Sequence, residues 1–527
     1  MAVTTAPARI APLSPTVEDA CQRWGPKPAL TTHGTTLTYQ ELGQRIRALA
    51  SAYETLGVAR GDRILCQLRN CNELIIAAAA AWQRGAVHVG ADNDLTGAEL
   101  SRLVERLEAA ALIYQPSRDA TEPLAPLHTV ADAHPDTPLI VHDAPAGPYH
   151  SLAALLESDQ TTAADRPAPL DPGVIFLTSG TTGEPKAVVE PIAEHWAKMQ
   201  FFADAVAPGE DDVQLLFLPI SHVFGLRLAF MTLLRGGHLV LADRFSPSQT
   251  LELVERKGVT LLPAVPTHLR LLRQRYDPST HDLASLGWVI SAAAALSPQL
   301  AEWVYETLQA RMMFVFGCSE GFTTLTTKRD DILAGSVGNT VFQGPPGTPP
   351  DGTVRIADPQ DDTTLPPGET GEIAFGATHP VRYWDQPATA TDGWYRTGDL
   401  GHLDEHGRVV ITGRLKEQIN RGGLHVSMAE VEKALLCHPR VADAALLATP
   451  NTVLGEAVCA CVVPDAGPPP DLAELHAFLC HDLARHKLPD ELCVLDEIPR
   501  TVIGKVDRAA LRDRVLDGEK PRERLTR

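Results

Sequence analysis

No two cysteines in this 527-residue chain have the CxxC spacing, and none forms a metal-like cluster with histidine. The nine cysteines therefore read as reduced thiols, the state expected in the cytoplasm, and not as a disulfide frame or a zinc site. Cys459 and Cys461 alternate along an apparent strand, share one face, and are expected to be small core residues. Long apolar runs are also missing. The longest, residues 74–82, falls far short of the ~20 residues a membrane helix needs. Residues 1–15 carry one Arg and no apolar stretch long enough for a signal peptide, so a cytoplasmic protein is expected. Positive charge is scarce: Lys plus Arg number 46 against 66 for Asp plus Glu, a net charge of −20. That surplus argues against nucleic acid or an anionic membrane as partner. It leaves open a small anionic ligand held by a local pocket of donors.

What is present fits a globular enzyme-sized protein. Apolar residues make up 44% and charged residues 21%. At roughly 150 residues per domain the length allows three or four domains or subdomains. Thr38 and Glu41 form a capping-box pattern ahead of an amphipathic helix over 38–57. Strand patterns at 62–68 and 86–91 flank an Ala-rich helix at 72–84, a βαβ unit. Residues 115–172 are rich in Pro, Asp and Ala and read as loops with short elements. Strands at 261–265, 288–291 and 313–316 then alternate with helices at 266–275 and 298–310, which predicts a parallel-rich sheet covered by helices. From Arg414 the pattern becomes helix 428–437, strands 442–448 and 457–463, helix 472–483 and strand 492–497. The expected class is α/β: a large N-terminal domain of α/β subdomains, 1–413, and a small α+β C-terminal domain, 414–527.

One loop stands out. An apolar strand at 174–177 runs into Thr178-Ser-Gly-Thr-Thr-Gly-Glu-Pro-Lys186, and an apolar stretch follows. Glycines allow backbone N–H groups to approach a phosphate closely. The hydroxyls of Thr178, Ser179, Thr181 and Thr182 add donors, Gly180 and Gly183 add freedom, and Lys186 adds charge. The spacing is not GxxxxGK[ST], so the chemistry of that motif is not implied. A flexible linker of the same composition would rarely be clasped between two apolar strands.

This loop resembles the signature of the adenylate-forming superfamily: acyl-CoA synthetases, luciferases and nonribosomal peptide adenylation domains. Further signatures follow in the family's order: Leu218-Pro-Ile-Ser-His222, Phe316-Gly-Cys-Ser-Glu320, Tyr395-Arg-Thr-Gly-Asp399, Gly413-Arg414 and Thr501-Val-Ile-Gly-Lys505. The resemblance implies ATP and Mg²⁺ as cofactors. It casts Glu320 as the Mg²⁺ ligand, Asp399 as acceptor of the ribose hydroxyls, and Arg414 as a second ribose and phosphate contact. Ser319 belongs to the same nucleotide-binding set. His222, on its own a core histidine, is placed beside the substrate carboxylate. Lys505 becomes the lysine that bridges carboxylate and α-phosphate during adenylation. Lys416 falls at the hinge about which the small domain swings. A carboxylate would attack the α-phosphorus, pyrophosphate would leave, and a thiol would take the acyl group. No motif places a cysteine of this chain as that thiol, which implies the phosphopantetheine of CoA or of a carrier protein.

Phe316-Gly-Cys-Ser-Glu-Gly-Phe322, with Thr326 and Asp330-Asp331 downstream, resembles the stand-alone aryl-acid AMP ligases, as does Gln418-Ile-Asn-Arg-Gly-Gly423. Most CoA ligases have Lys where this chain has Asn420. Few residues follow Lys505, so a carrier protein acting in trans is expected. The chain departs from that subgroup in having Val223 where those enzymes carry an Asn that contacts a ring hydroxyl. Val223, Phe224, Leu228, Ser291 and Ala292, with Gly317 and Cys318, are expected to line a mainly apolar pocket for a small carboxylic acid. Arg227 is expected either to touch a polar substrate group or to point outward in an ion pair. Glu190 stands where His or Arg is common, and the sequence offers no account of it. Two other readings share the same nucleotide site: a CoA ligase, and an enzyme acting on a non-carboxylate acceptor such as nitrite.

Overall fold

The computed structural model describes residues 16–517 and 522–524, apart from 94, 119, 159–166, 179–184, 295, 322, 339, 342–353, 377–380, 387–393, 423, 466 and 502–503. Two large sheets with parallel cores carry the N-terminal part. In the first, the strands Arg63–Gln67 and Val87–Gly90 run parallel, joined by the helix Asn72–Gln83. That helix is Ala-rich because it is enclosed on all sides: every residue from Leu74 to Trp82 is buried. The strand Pro172–Thr178 extends the parallel run beside Val87–Gly90. Lys186–Pro191 then turns back antiparallel, with Thr178 opposite Lys186. The two ends of the Gly/Ser/Thr loop are thereby held side by side. Helix Tyr39–Thr55 starts at the expected capping box, with Thr38 N–H donating to the Glu41 carboxylate at 2.7 Å.

The second sheet has nine strands. Val213–Leu216, His238–Leu241, Leu261–Pro263, Trp288–Ser291 and Arg311–Gly317 form its parallel centre, with antiparallel strands at both edges. The strand expected over 261–265 stops at Pro263; Val265, extended ahead of Pro266, is instead the N-cap of helix Pro266–Arg275. Asn70 joins the two sheets from a buried position. Its Nδ2 donates to the carbonyls of Leu218 (2.9 Å) and Ala242 (3.1 Å), and its Oδ1 accepts from Ile220 N–H (3.0 Å).

Two smaller sheets follow. Val354–Ala357, Gly371–Gly376, Trp394–Leu403 and Val409–Arg414 make an antiparallel four-stranded sheet. The last sheet opens at Gln418–Arg421 and includes the long hairpin of Val441–Asn451 with Gly455–Pro464. Cys459, Cys461 and Cys493 are packed in one apolar cluster beneath it. Here the strand expected over 492–497 ends at Val494. The large mixed N-terminal part and smaller C-terminal part agree with the expected α/β class. Thr326 and Asp331 have a structural use: Thr326 Oγ1 donates to Asp331 (3.0 Å), which pairs with Arg408 (2.8 Å) and so fastens the nine-stranded sheet to the four-stranded one. Among the described residues no helix is long and apolar enough to cross a membrane.

Asn70→Ala would strand one buried N–H and remove the donor to two carbonyls. It is expected to lower the stability of the large domain by about 3 kcal/mol, read from the first transition in urea unfolding.

Candidate active site

The expected site residues are carried by strand ends and turns of these sheets. Thr178 and Lys186 mark the mouth of the Gly/Ser/Thr loop; Ser179, Gly180, Thr181, Thr182 and Gly183 lie outside the described residues. Lys186 Nζ sits 5.2 Å from the centre of the Tyr383 ring. The Tyr383 hydroxyl donates to Glu320 Oε1 at 3.2 Å and is hydrogen-bonded to that of Tyr395. Burial, then the Glu320 charge, pushes the Tyr383 hydroxyl up to about 12. Glu320 is carried by the turn after the strand Arg311–Gly317, with Cys318 and Ser319 half-buried beside it.

Asp399 and Arg414 are cross-strand neighbours in the four-stranded sheet, and Arg414 Nε lies 2.7 Å from Asp399 Oδ1. Burial pushes the Asp399 carboxyl up, while Arg414 and Lys505 pull it back. Lys505 comes from the C-terminal part yet joins the same group. Its side chain is exposed; partial desolvation, and then Arg414, lower its pKa from the usual lysine range, and Asp399, Glu417 and Glu320 oppose them. Lys505, Glu320, Asp399 and Arg414, distant in sequence, therefore share one electrostatic neighbourhood. Lys416 is exposed, between the strand that ends at Arg414 and the one that begins at Gln418.

The remaining expected residues surround an apolar region. His222 caps helix Val223–Leu234, and its Nε2 stands 3.2 Å from Asp92 Oδ1. Val223 and Phe224 are half-buried, and Phe224 packs on a cluster that holds Leu228, Ile290, Ala292 and Met313. Ser291 ends its strand with a buried Oγ that makes no hydrogen bond among the described residues. Asp92, Tyr383 and Tyr395 were not singled out from the sequence. Tyr395 opens a motif already in hand, so it was within reach; Asp92 has no local signal at all.

Arg227 requires a correction. It does not point outward: it is 3% exposed, and its Nη2 lies 2.5 Å from Glu190 Oε1. Glu190 also takes Lys198 Nζ at 2.8 Å and His195 Nδ1 at 2.6 Å. Lys198 pairs with Glu194 as well. Burial lowers the His195 pKa, against the pull of Glu190, so the imidazole is neutral. The two carboxylates and two cations then cancel, which is how such a group can be buried. A Cβ on Gly321, next to Glu320, would lie 3.1 Å from Glu194 Oε1 and 3.3 Å from Lys198 Nζ, so this cluster backs the Glu320 turn. The Glu190 found without explanation in the sequence is thus the counter-charge for Arg227 and Lys198.

Burial works against ionised Glu190, but Arg227 and Lys198 outweigh it and hold its carboxyl well below 4.5. A carboxyl with a depressed folded pKa contributes its full stability above the unfolded value, and that contribution is lost as pH falls through the folded value. Glu190→Gln is expected to cost about 3–5 kcal/mol near neutral pH by leaving one net positive charge buried: Glu194 still pairs with Lys198, while Arg227 loses its carboxylate. It should also flatten the acid limb of stability below about pH 4.5, measured by urea unfolding from pH 7 to 3.

The family described as AMP-binding enzyme matches residues 17–382, and its C-terminal domain matches residues 430–505. A salicyl-AMP ligase / salicyl-S-ArCP synthetase of Mycobacterium tuberculosis is 32% identical over 518 residues, 95% of this chain and 90% of that protein. A 2-hydroxy-7-methoxy-5-methyl-1-naphthoate–CoA ligase of Streptomyces carzinostaticus is 32% identical over 499 residues, 90% of this chain and 88% of its own. Among solved structures, the amide bond synthetase McbA from Marinactinospora thermotolerans superposes with a TM-score of 0.80 at 26% identity, covering 95% of this chain and 99% of that one. With the family matched over most of its length and relatives of this similarity at nearly full coverage, the chain belongs to the AMP-binding enzyme family and is an AMP-forming ligase.

Proposed function

We propose that the protein adenylates an aryl or similarly small apolar carboxylic acid with ATP, releases pyrophosphate, and passes the acyl group to the phosphopantetheine thiol of a separate carrier protein. The observation that supports this most is that Lys505, Arg414, Asp399 and Glu320 lie within one another's electrostatic reach, with Glu320 joined through Tyr383 to Lys186 at the end of the Gly/Ser/Thr loop. In this reading Asp399 accepts the ribose hydroxyls and Arg414 holds the ribose and phosphate side. Lys505 offsets the charge that develops between carboxylate and α-phosphate. Glu320 is the candidate Mg²⁺ ligand: it is a half-buried carboxylate with one oxygen held by Tyr383. The ion would supply charge neutralisation on the triphosphate. His222, with Asp92 3.2 Å from its Nε2, orients the acid carboxylate beside Val223 and Phe224.

Residues 1–413 act in this reading as the core domain and 414–527 as a mobile domain turning about Lys416. Rotation would withdraw Lys505 after adenylation and admit the thiol. Nine free cysteines accord with a cytoplasmic setting. CoA is the alternative acceptor, and the naphthoate–CoA ligase relative keeps it open.

Lys505→Ala is expected to lower acid-dependent pyrophosphate release by about a hundredfold or more, while thioester formation from supplied acyl-AMP stays within a few-fold of wild type. Equal loss in both half-reactions would remove Lys505 from its role. A pyrophosphate-release screen over aryl and short aliphatic acids identifies the acid, and thioester formation with CoA against a phosphopantetheinylated carrier protein identifies the acceptor. Val223→Asn should raise kcat/KM for hydroxylated benzoates by roughly tenfold, the worth of one good hydrogen bond; an unchanged preference would take Val223 out of the pocket.

A further inference from the structure

The segment that carries Lys505 is docked on the large domain, and the docking has identifiable parts. The loop is a tight turn: Gly504 N–H donates to Thr501 O and Thr501 N–H to Lys505 O, both at 2.8 Å. Arg500 opens it, bridges antiparallel to Val506, and donates from Nη1 to Gly504 O at 2.9 Å. The other arm of Arg500 grips Asp443 in the hairpin strand Val441–Asn451, with Nη2 at 2.8 and 2.9 Å from the two carboxylate oxygens. The same carboxylate takes Arg270 Nη1 at 2.6 Å, and Arg270 belongs to helix Pro266–Arg275 of the large domain. Side chains of Arg270, Asp443 and Arg500 are only 15%, 13% and 16% exposed, so the group is shielded from competing water and salt. Val265, at the start of that helix, touches the turn: a Cβ on Gly504 would lie 2.8 Å from Val265 Cγ2.

Resting on the adenylation reading above, we propose that Arg270 is a positioning residue for Lys505. Through Asp443 and Arg500 it latches the turn onto the large domain, and it does so only in the arrangement that makes the adenylate. Asp443 is the shared element. Two guanidiniums at this spacing repel each other, and the single carboxylate between them turns repulsion into a bridge. Burial works against the charge of Arg270 and leaves its pKa lowered; Asp443 opposes that and Arg500 adds to it. The latch therefore opens as a unit when the small domain turns away, and it contributes nothing to the arrangement that follows.

The test compares half-reactions in the full-length protein. Wild type and Lys505→Ala first establish whether pyrophosphate release depends on Lys505; if it does not, the adenylation reading fails whatever Arg270 does. With that dependence in place, Arg270→Met is expected to slow acid-dependent pyrophosphate release by about tenfold or more, and Arg270→Lys should restore part of it. Thioester formation from supplied acyl-AMP should be unchanged in both. Asp443→Asn should slow adenylation at least as much, and the Arg270→Met, Asp443→Asn double variant should be no slower than Asp443→Asn alone. An Arg270→Met enzyme with wild-type pyrophosphate release overturns the proposal while the reading stands. Equal loss in both half-reactions, or additive effects in the double variant, overturns it too.

Discussion

On the proposed reading one lysine, Lys505, has to meet Asp399, Arg414 and Glu320, and the polypeptide that bears it belongs to another part of the molecule. Everything else in the architecture can be read as serving that meeting. The four-stranded sheet sets Asp399 opposite Arg414, so that an acceptor and a donor arrive as a cross-strand pair. The strand Arg311–Gly317 ends where Glu320 can be steadied by Tyr383. Lys505 enters last, with desolvation and Arg414 disfavouring its charge and Asp399, Glu417 and Glu320 favouring it. An ammonium so placed is responsive: its environment changes whenever the charge near it changes, which is what the proposed role on a developing transition state would require.

Much of the fold was legible because its signals are local. A capping box announces its helix at Thr38, and Pro266 marks the start of another. An unbroken alanine run between two β-branched segments specifies a helix enclosed by sheet. The residues proposed to face the nucleotide were legible for a different reason. Each lies in a short motif whose neighbours also shape a turn or strand end, so position and identity were read together.

The rest was not legible because it depends on pairs brought together only by tertiary structure. Arg227 and Glu190 are far apart in sequence, and neither residue's neighbours hint at the other. A lone buried charge would be excluded on physical grounds, so each was read as a surface group or left without an account. The same holds for Asp92 beside His222, and for Arg270 with Asp443. Thr326 and Asp331 show the converse. They were read as marks of a subgroup, and their side chains are used to join two sheets.

The buried group around Glu190 has a consequence for how this protein can change. Its charges are contributed by one strand and two helices and balance only as a set. Replacing any one alone leaves an opposite charge stranded in the interior, whereas replacing the set together with apolar residues of similar volume removes that penalty. Strong epistasis follows. A library that varies these positions one at a time will score them as immutable, and a route to a reshaped wall behind the Glu320 turn exists only through simultaneous exchange.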